Sequence, residues 1–157
     1  MKTTHFFALA AMMVASTLGA SAQVINETRN LEPFSMVSVS NAMDATIKYG
    51  DVQSVVVTAH ADVIKNVRTE VNGPELTITF DDDKKFHKIL KNKKFKMEVV
   101  VTVPVLNSVK ASGASDVSVH ATDEIVIDST GASDVDYYGN PKVVDINAAG
   151  SSDVNGH

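Results

Sequence analysis

Three aspartates, Asp116, Asp134 and Asp153, each stand three residues after a glycine and just before a valine, and the Gly-to-Gly steps are 18 and 19 residues. Side chains repeated at such a spacing fall into one column when the segments stack. Two carboxylates about 5 Å apart repel by about 0.8 kcal/mol at the dielectric of water and by roughly 3 kcal/mol at an effective value near 20. Something must offset that repulsion. Asp is suited to accept hydrogen bonds from turn backbone, aided here by Ser115, Ser133 and Ser152, and we expect that arrangement. The weaker alternative is Ca²⁺, a hard cation that takes six to eight oxygens, with Asp116, Asp134 and Asp153 as its ligands.

A second group is basic: Lys84, Lys85, Lys88, Lys91, Lys93, Lys94 and Lys96, with His87 among them. Lying between two clear strand patterns, it is expected to be a long hairpin connection. These lysines are the candidate contacts to an acidic polysaccharide, a lipopolysaccharide phosphate or another protein's acidic surface. Tyr137 and Tyr138 could offer a platform for a sugar ring, although Tyr137 is expected to face inward in line with Val119. His60, His120 and His157 accompany abundant serines and aspartates. Yet no Gly-x-Ser-x-Gly elbow, His-Glu-x-x-His helix or phosphate-cradling glycine loop occurs. No catalytic residue and no bound cofactor are expected.

The composition narrows the setting. The chain has 157 residues, 44% hydrophobic, with a formal charge of -5 and no Cys or Trp. That length suits one domain. Zero cysteine excludes disulfides, thiolate metal sites and a lipid-bearing cysteine, and the negative charge argues against nucleic acid, whose binding depends on neutralising phosphates. Lys2, the uncharged apolar run 6–20 and Ala20-Ser21-Ala22 read as a signal peptide over residues 1–22, cut before Gln23. The run is short for a membrane span, which needs about 20 apolar residues. The mature protein, 23–157, is therefore expected to be exported, to the periplasm, the outer surface or the medium.

The elements that must position these side chains are strands. Apolar residues alternate with polar ones at Val37/Val39, at Leu76/Ile78/Phe80 and from Phe95 to Val103, the period of a half-buried strand. Asn72-Gly73-Pro74 predicts a hairpin turn, and Asp62 to Asn66 no more than a turn. Charge divides the chain near Pro104: residues 97–157 carry two basic side chains, Lys110 and Lys142, against nine acidic ones. In that acidic half Val109, Ile127 and Ile146 each stand four residues before the repeated glycine. A repeat so short cannot bury its own apolar face, so stacked copies are the physical solution. The fold class expected is all-β, a right-handed parallel β-helix (solenoid) of about three short coils over 105–157, preceded by an N-terminal strand region with a hairpin over 23–104.

The leader, Phe34-Ser35-Met36-Val37-Ser38-Val39, Leu76-Thr77-Ile78, Val103-Pro104-Val105-Leu106, the Gly-Ala-Ser-Asp-Val repeats and Tyr138-Gly139-Asn140-Pro141-Lys142-Val143 together resemble the auto-transporter adhesin, head GIN domain family, a domain of unknown function from exported bacterial proteins. The resemblance covers nearly the whole mature chain. It implies a single β-solenoid domain at the envelope or outside the cell and brings no catalytic residues. The function expected is a non-enzymatic module for cell-surface or envelope interaction, adhesion included. The alternatives are a polysaccharide-binding or polysaccharide-processing protein and a purely structural envelope protein. Expected partners are a protein or an anionic glycan, and a second copy joined through the solenoid edge.

Overall fold

The structure is a computed structural model that describes residues 12–14, 24–81 and 97–157. Its elements in chain order are β1 (Met12–Val14), β2 (Val24–Arg29), β3 (Met36–Val39), β4 (Asp44–Tyr49), β5 (Ser54–His60), a short 3-10 turn (Ile64–Asn66), β6 (Val67–Asn72), β7 (Glu75–Phe80), β8 (Met97–Val103), β9 (Ser108–Ala111), β10 (Asp116–Ala121), β11 (Glu124–Gly131), β12 (Asp134–Gly139), β13 (Val143–Gly150) and β14 (Asp153–Gly156). The described residues contain no α-helix, and no helix long and apolar enough to cross a membrane. Alternation decides the burial: along β5 and β7 every second side chain is buried, as period-two patterning requires.

The strands form two mixed sheets, one in the order β1-β2-β5-β8-β4-β10-β12-β14 and the other in the order β13-β11-β9-β3-β7-β6. Read across both, the pairs β7/β8, β3/β4, β9/β10, β11/β12 and β13/β14 are five layers whose neighbouring strands run parallel. The repeats stack as their spacing demands: Val109 pairs with Ile127 and Ile127 with Ile146, while Val117, Val135 and Val154 form a second apolar column. Beyond β7/β8 the direction reverses, since β5 pairs antiparallel with β8, and β6 with β7. The predicted hairpin at Gly73 is the β6–β7 turn, where Gly73 takes φ +58°.

Two sequence expectations change. The N-terminal strands do not precede the stack: β3/β4 lies inside it, between β7/β8 and β9/β10. Nor do the strands flanking the lysine-rich segment make a hairpin, because β7 and β8 belong to different sheets and never pair. The segment instead joins in sequence a strand of one sheet to a strand of the other.

One hydrophobic cluster fills the space between the sheets and draws on both halves of the chain, from Phe34, Val37 and Met43 to Ile125, Ile127 and Val135. Each buried Val or Ile there contributes about 1.5–3 kcal/mol relative to exposure. The last layer is less covered, with Ile146 41% and Val143 51% exposed.

Candidate functional site: carboxylate column, ring stack and corner cleft

Asp116 pairs in register with Asp134, and Asp134 with Asp153, at the start of β10, β12 and β14. The column continues beyond the repeats, because Asp44 of β4 pairs with Asp116, and Glu98 of β8 pairs with Asp44. Five carboxylates thus cross the outer face of the larger sheet at the ladder spacing of about 4.8 Å. Burial first, then the charges of Asp116 and Glu98, push the Asp44 carboxyl above its ordinary value. Among the described residues no three His, Asp or Glu side chains converge as a metal-holding group.

The corner before this column is held by serine rather than by aspartate. Ser115 Oγ donates to the Ser112 carbonyl at 2.9 Å, Ser133 Oγ to that of Thr130 at 2.9 Å, and Ser152 Oγ to that of Ala149 at 3.0 Å. Ser133 is fully buried and also meets Ser129 Oγ at 2.9 Å. Consecutive corners are joined through backbone, as where the Asp134 amide donates to the Ser115 carbonyl at 3.0 Å. The expected capping by the carboxylates of Asp116, Asp134 and Asp153 is not seen among the described residues: the corner amides of Asp134 and Asp153 donate instead to the Ser115 and Ser133 carbonyls of the neighbouring layer, and the aspartates project into solvent. The glycines are required here. At Gly131 φ is +86°, and a Cβ would come within 2.7 Å of the Gly113 carbonyl oxygen.

Farther along the same face His120, Tyr138 and His157 stack, with ring centroids 5.2 and 4.8 Å apart. Asp136 Oδ1 stands 3.2 Å from His157 Nε2. Tyr138 therefore has a ring on both faces and cannot serve as a sugar-stacking platform, and Tyr137 turns in against the core. On the other sheet Lys110 donates to Glu75 at 2.6 Å, and that bond raises the lysine above its ordinary value. Asn147 Nδ2 donates to Asp128 Oδ1 at 3.1 Å, an amide ladder that relieves a carboxylate. At the opposite corner a cleft of about 160 Å³ is lined by Tyr49, Pro104, Val105, Leu106, Asn107, Asp123 and Glu124. It combines an aromatic ring and apolar chains with an amide and two carboxylates.

Lys84, Lys85, Lys88, Lys91, Lys93, Lys94 and Lys96 lie outside the described residues, as does His87. Asp44 and Glu98 escaped the sequence reading. A signal for Asp44 was present: Val37, Val39 and Asp44 have the same spacing as Val109, Ala111 and Asp116, and the pairs are in register. The corner Ser40-Asn41-Ala42-Met43 hides the match, since Asn41, at φ 62°, stands where the later copies have glycine.

The described residues thus form an all-β stack of parallel layers that presents polar columns beside a cleft. The chain belongs to the family described as "Putative auto-transporter adhesin, head GIN domain", whose pattern matches residues 33–157. No curated protein matches the chain. It is similar to a crystal structure of a "putative adhesin" from Parabacteroides distasonis, with 20% identity and a TM-score of 0.68, over 85% of this chain and 56% of that one. It is also similar to a "putative lipid binding protein" from the same species, with 15% identity and a TM-score of 0.53, over 80% of this chain and 59% of that one. These likenesses are of fold, and the chain spans a little over half the length of either neighbour.

Proposed function

We propose that this chain is an exported, non-enzymatic module for interaction at the cell surface or envelope, adhesion being one form of it. The reading takes residues 1–22 as a leader and 23–157 as one right-handed β-solenoid domain. Parallel register through five layers and the family membership support it. Removal of the leader would take β1 away from β2 and leave β2 as the sheet edge.

The observation that carries the functional reading is the carboxylate column Glu98, Asp44, Asp116, Asp134 and Asp153. Like charges held in register weaken the fold, so their alignment across a flat outer face fits recognition better than stability. Such a face recognises a partner protein through many weak polar contacts. The lysines between 84 and 96 supply the opposite charge, for an anionic glycan or an acidic protein surface.

The test is retention of the purified protein on a glycan array and on anionic polysaccharide beads at low salt. Replacing Lys84, Lys85, Lys88 and Lys91 by glutamate is expected to abolish retention on anionic ligands. Unchanged retention would remove the lysines from the proposal, and release of shortened glycan products would replace the binding reading with an enzymatic one.

A further inference from the structure

The end of the stack at β13/β14 leaves open both its core and its backbone. Val144, Ile146 and Val154 continue the buried columns of the previous layer, yet Ile146 is 41% exposed and nothing lies beyond it among the described residues. The amides of Ser151, Asp153 and His157 donate back to Gly131, Ser133 and Tyr137. Because N–H and C=O directions alternate along a strand, the groups of Val144, Ile146, Ala148 and Val154 point to the free edge. Edge groups of this kind are templates for a further strand.

We infer that this end pairs with the same end of a second copy about a two-fold axis, with Ile146 opposite its own counterpart on β13 and Val154 opposite its own counterpart on β14. A two-fold axis makes the facing strands antiparallel, and directly opposed residues then share a face of the sheet. Three considerations select this register. The free-edge groups at Ile146 and Val154 are those that a hydrogen-bonded antiparallel pair needs at its centre. Both residues stand four positions from Gly150, on either side of the corner, so one axis can pass through both.

The third consideration is charge. In this register Asp145 faces Asn147 of the second copy, and Asp153 faces Asn155. The protein already uses that pairing within its own stack, where Asn147 donates to Asp128 and Asn155 to Asp136, at 3.1 and 3.4 Å. Because β13 and β14 run in opposite senses from the corner, moving the axis by one residue would set either Asp145 against Asp145 or Asp153 against Asp153. The selected register avoids both repulsions and covers Ile146, Val144 and Val154. The partner is thus a second copy of this chain, and the assembly closes at two. This inference does not rest on the binding proposed above. Two short strands bury less than a standard interface, so the dimer belongs to the weak class.

The experiment uses sedimentation of the purified protein up to about 1 mM, a concentration that reveals even contacts of only about 4 kcal/mol. A reversible monomer–dimer equilibrium is expected, abolished by Ile146→Lys with the circular dichroism spectrum retained. The chain has no cysteine, so engineered thiols report the register cleanly. Mixing Asp145→Cys with Asn147→Cys protein under mild oxidation should give a cross-linked heterodimer, in several-fold excess over the product of either variant alone. A monomer throughout, an open-ended fibre, a dimer that survives Ile146→Lys, or equal cross-linking in the single-variant controls would each overturn the inference.

Discussion

Replacing Asp44 by asparagine keeps the shape of the side chain and removes one charge from the carboxylate column. Its neighbours Asp116 and Glu98 are one ladder step away on either side. At about 4.8 Å each contributes about 0.9 kcal/mol of repulsion at the dielectric of water. Physiological salt, with a screening length of about 8 Å, cuts that roughly in half. Two neighbours therefore cost about 1 kcal/mol, and the partial burial that heads the causes of the raised carboxyl adds to it. The expected gain for Asp44→Asn at pH 7 is about 1–2 kcal/mol, or roughly 3–6 °C in melting temperature for a domain of this size.

Two further dependences test the cause. The gain should grow at about 10 mM salt and shrink at about 1 M, where screening falls to about 3 Å. Asp44 is raised in the folded state above its ordinary 3.8, so the folded protein binds this proton more tightly than the unfolded chain does. The penalty is then complete above the folded value, declines as pH falls toward 3.8, and vanishes below it. Urea midpoints for both proteins at pH 7 and pH 3, each at low and high salt, provide the assay. A variant no more stable than the parent at pH 7, or a gain that ignores both salt and pH, would refute electrostatic strain in the column.

The corners give two predictions of opposite sign. Gly131→Ala combines φ +86° with a Cβ 2.7 Å from the Gly113 carbonyl oxygen, and should lower stability by about 2–4 kcal/mol in urea unfolding. Ala42 holds φ 58° without being glycine, so Ala42→Gly should raise stability by about 0.5–1 kcal/mol after the added freedom of the unfolded chain is counted, read as a higher melting temperature.

Much of this was legible because the corner is chemically demanding. Only glycine fits the approach to the carbonyl of the layer below, only a small hydroxyl reaches the corner carbonyls from inside, and the aliphatic columns must repeat for the layers to touch. Gly131, Ser133 and Ile127 therefore announced themselves. Asp44 and Glu98 did not, because Asn41 and Ala42 reach positive φ by other means and no Gly-Ala-Ser motif precedes Glu98. The hairpin expected across that segment failed for a related reason. Alternation in Leu76–Phe80 and Met97–Val103 identifies two strands but carries no information about which sheet each joins. Tyr138 looked like an open ring until register placed His120 and His157 against its faces.

The layer built from β3 and β4 is made first yet ends in the middle, with β7/β8 on one flank and β9/β10 on the other. In an ordinary repeat array each unit touches only its sequence neighbours, and a terminal unit can be trimmed with modest loss. Here the first layer in chain order is a keystone whose two contacting neighbours are synthesised about 40 and about 70 residues later. Both edges of that ribbon therefore stay unpaired until the later strands exist, and excising it would remove the only strands that pair β7 with β9 and β8 with β10 among the described residues.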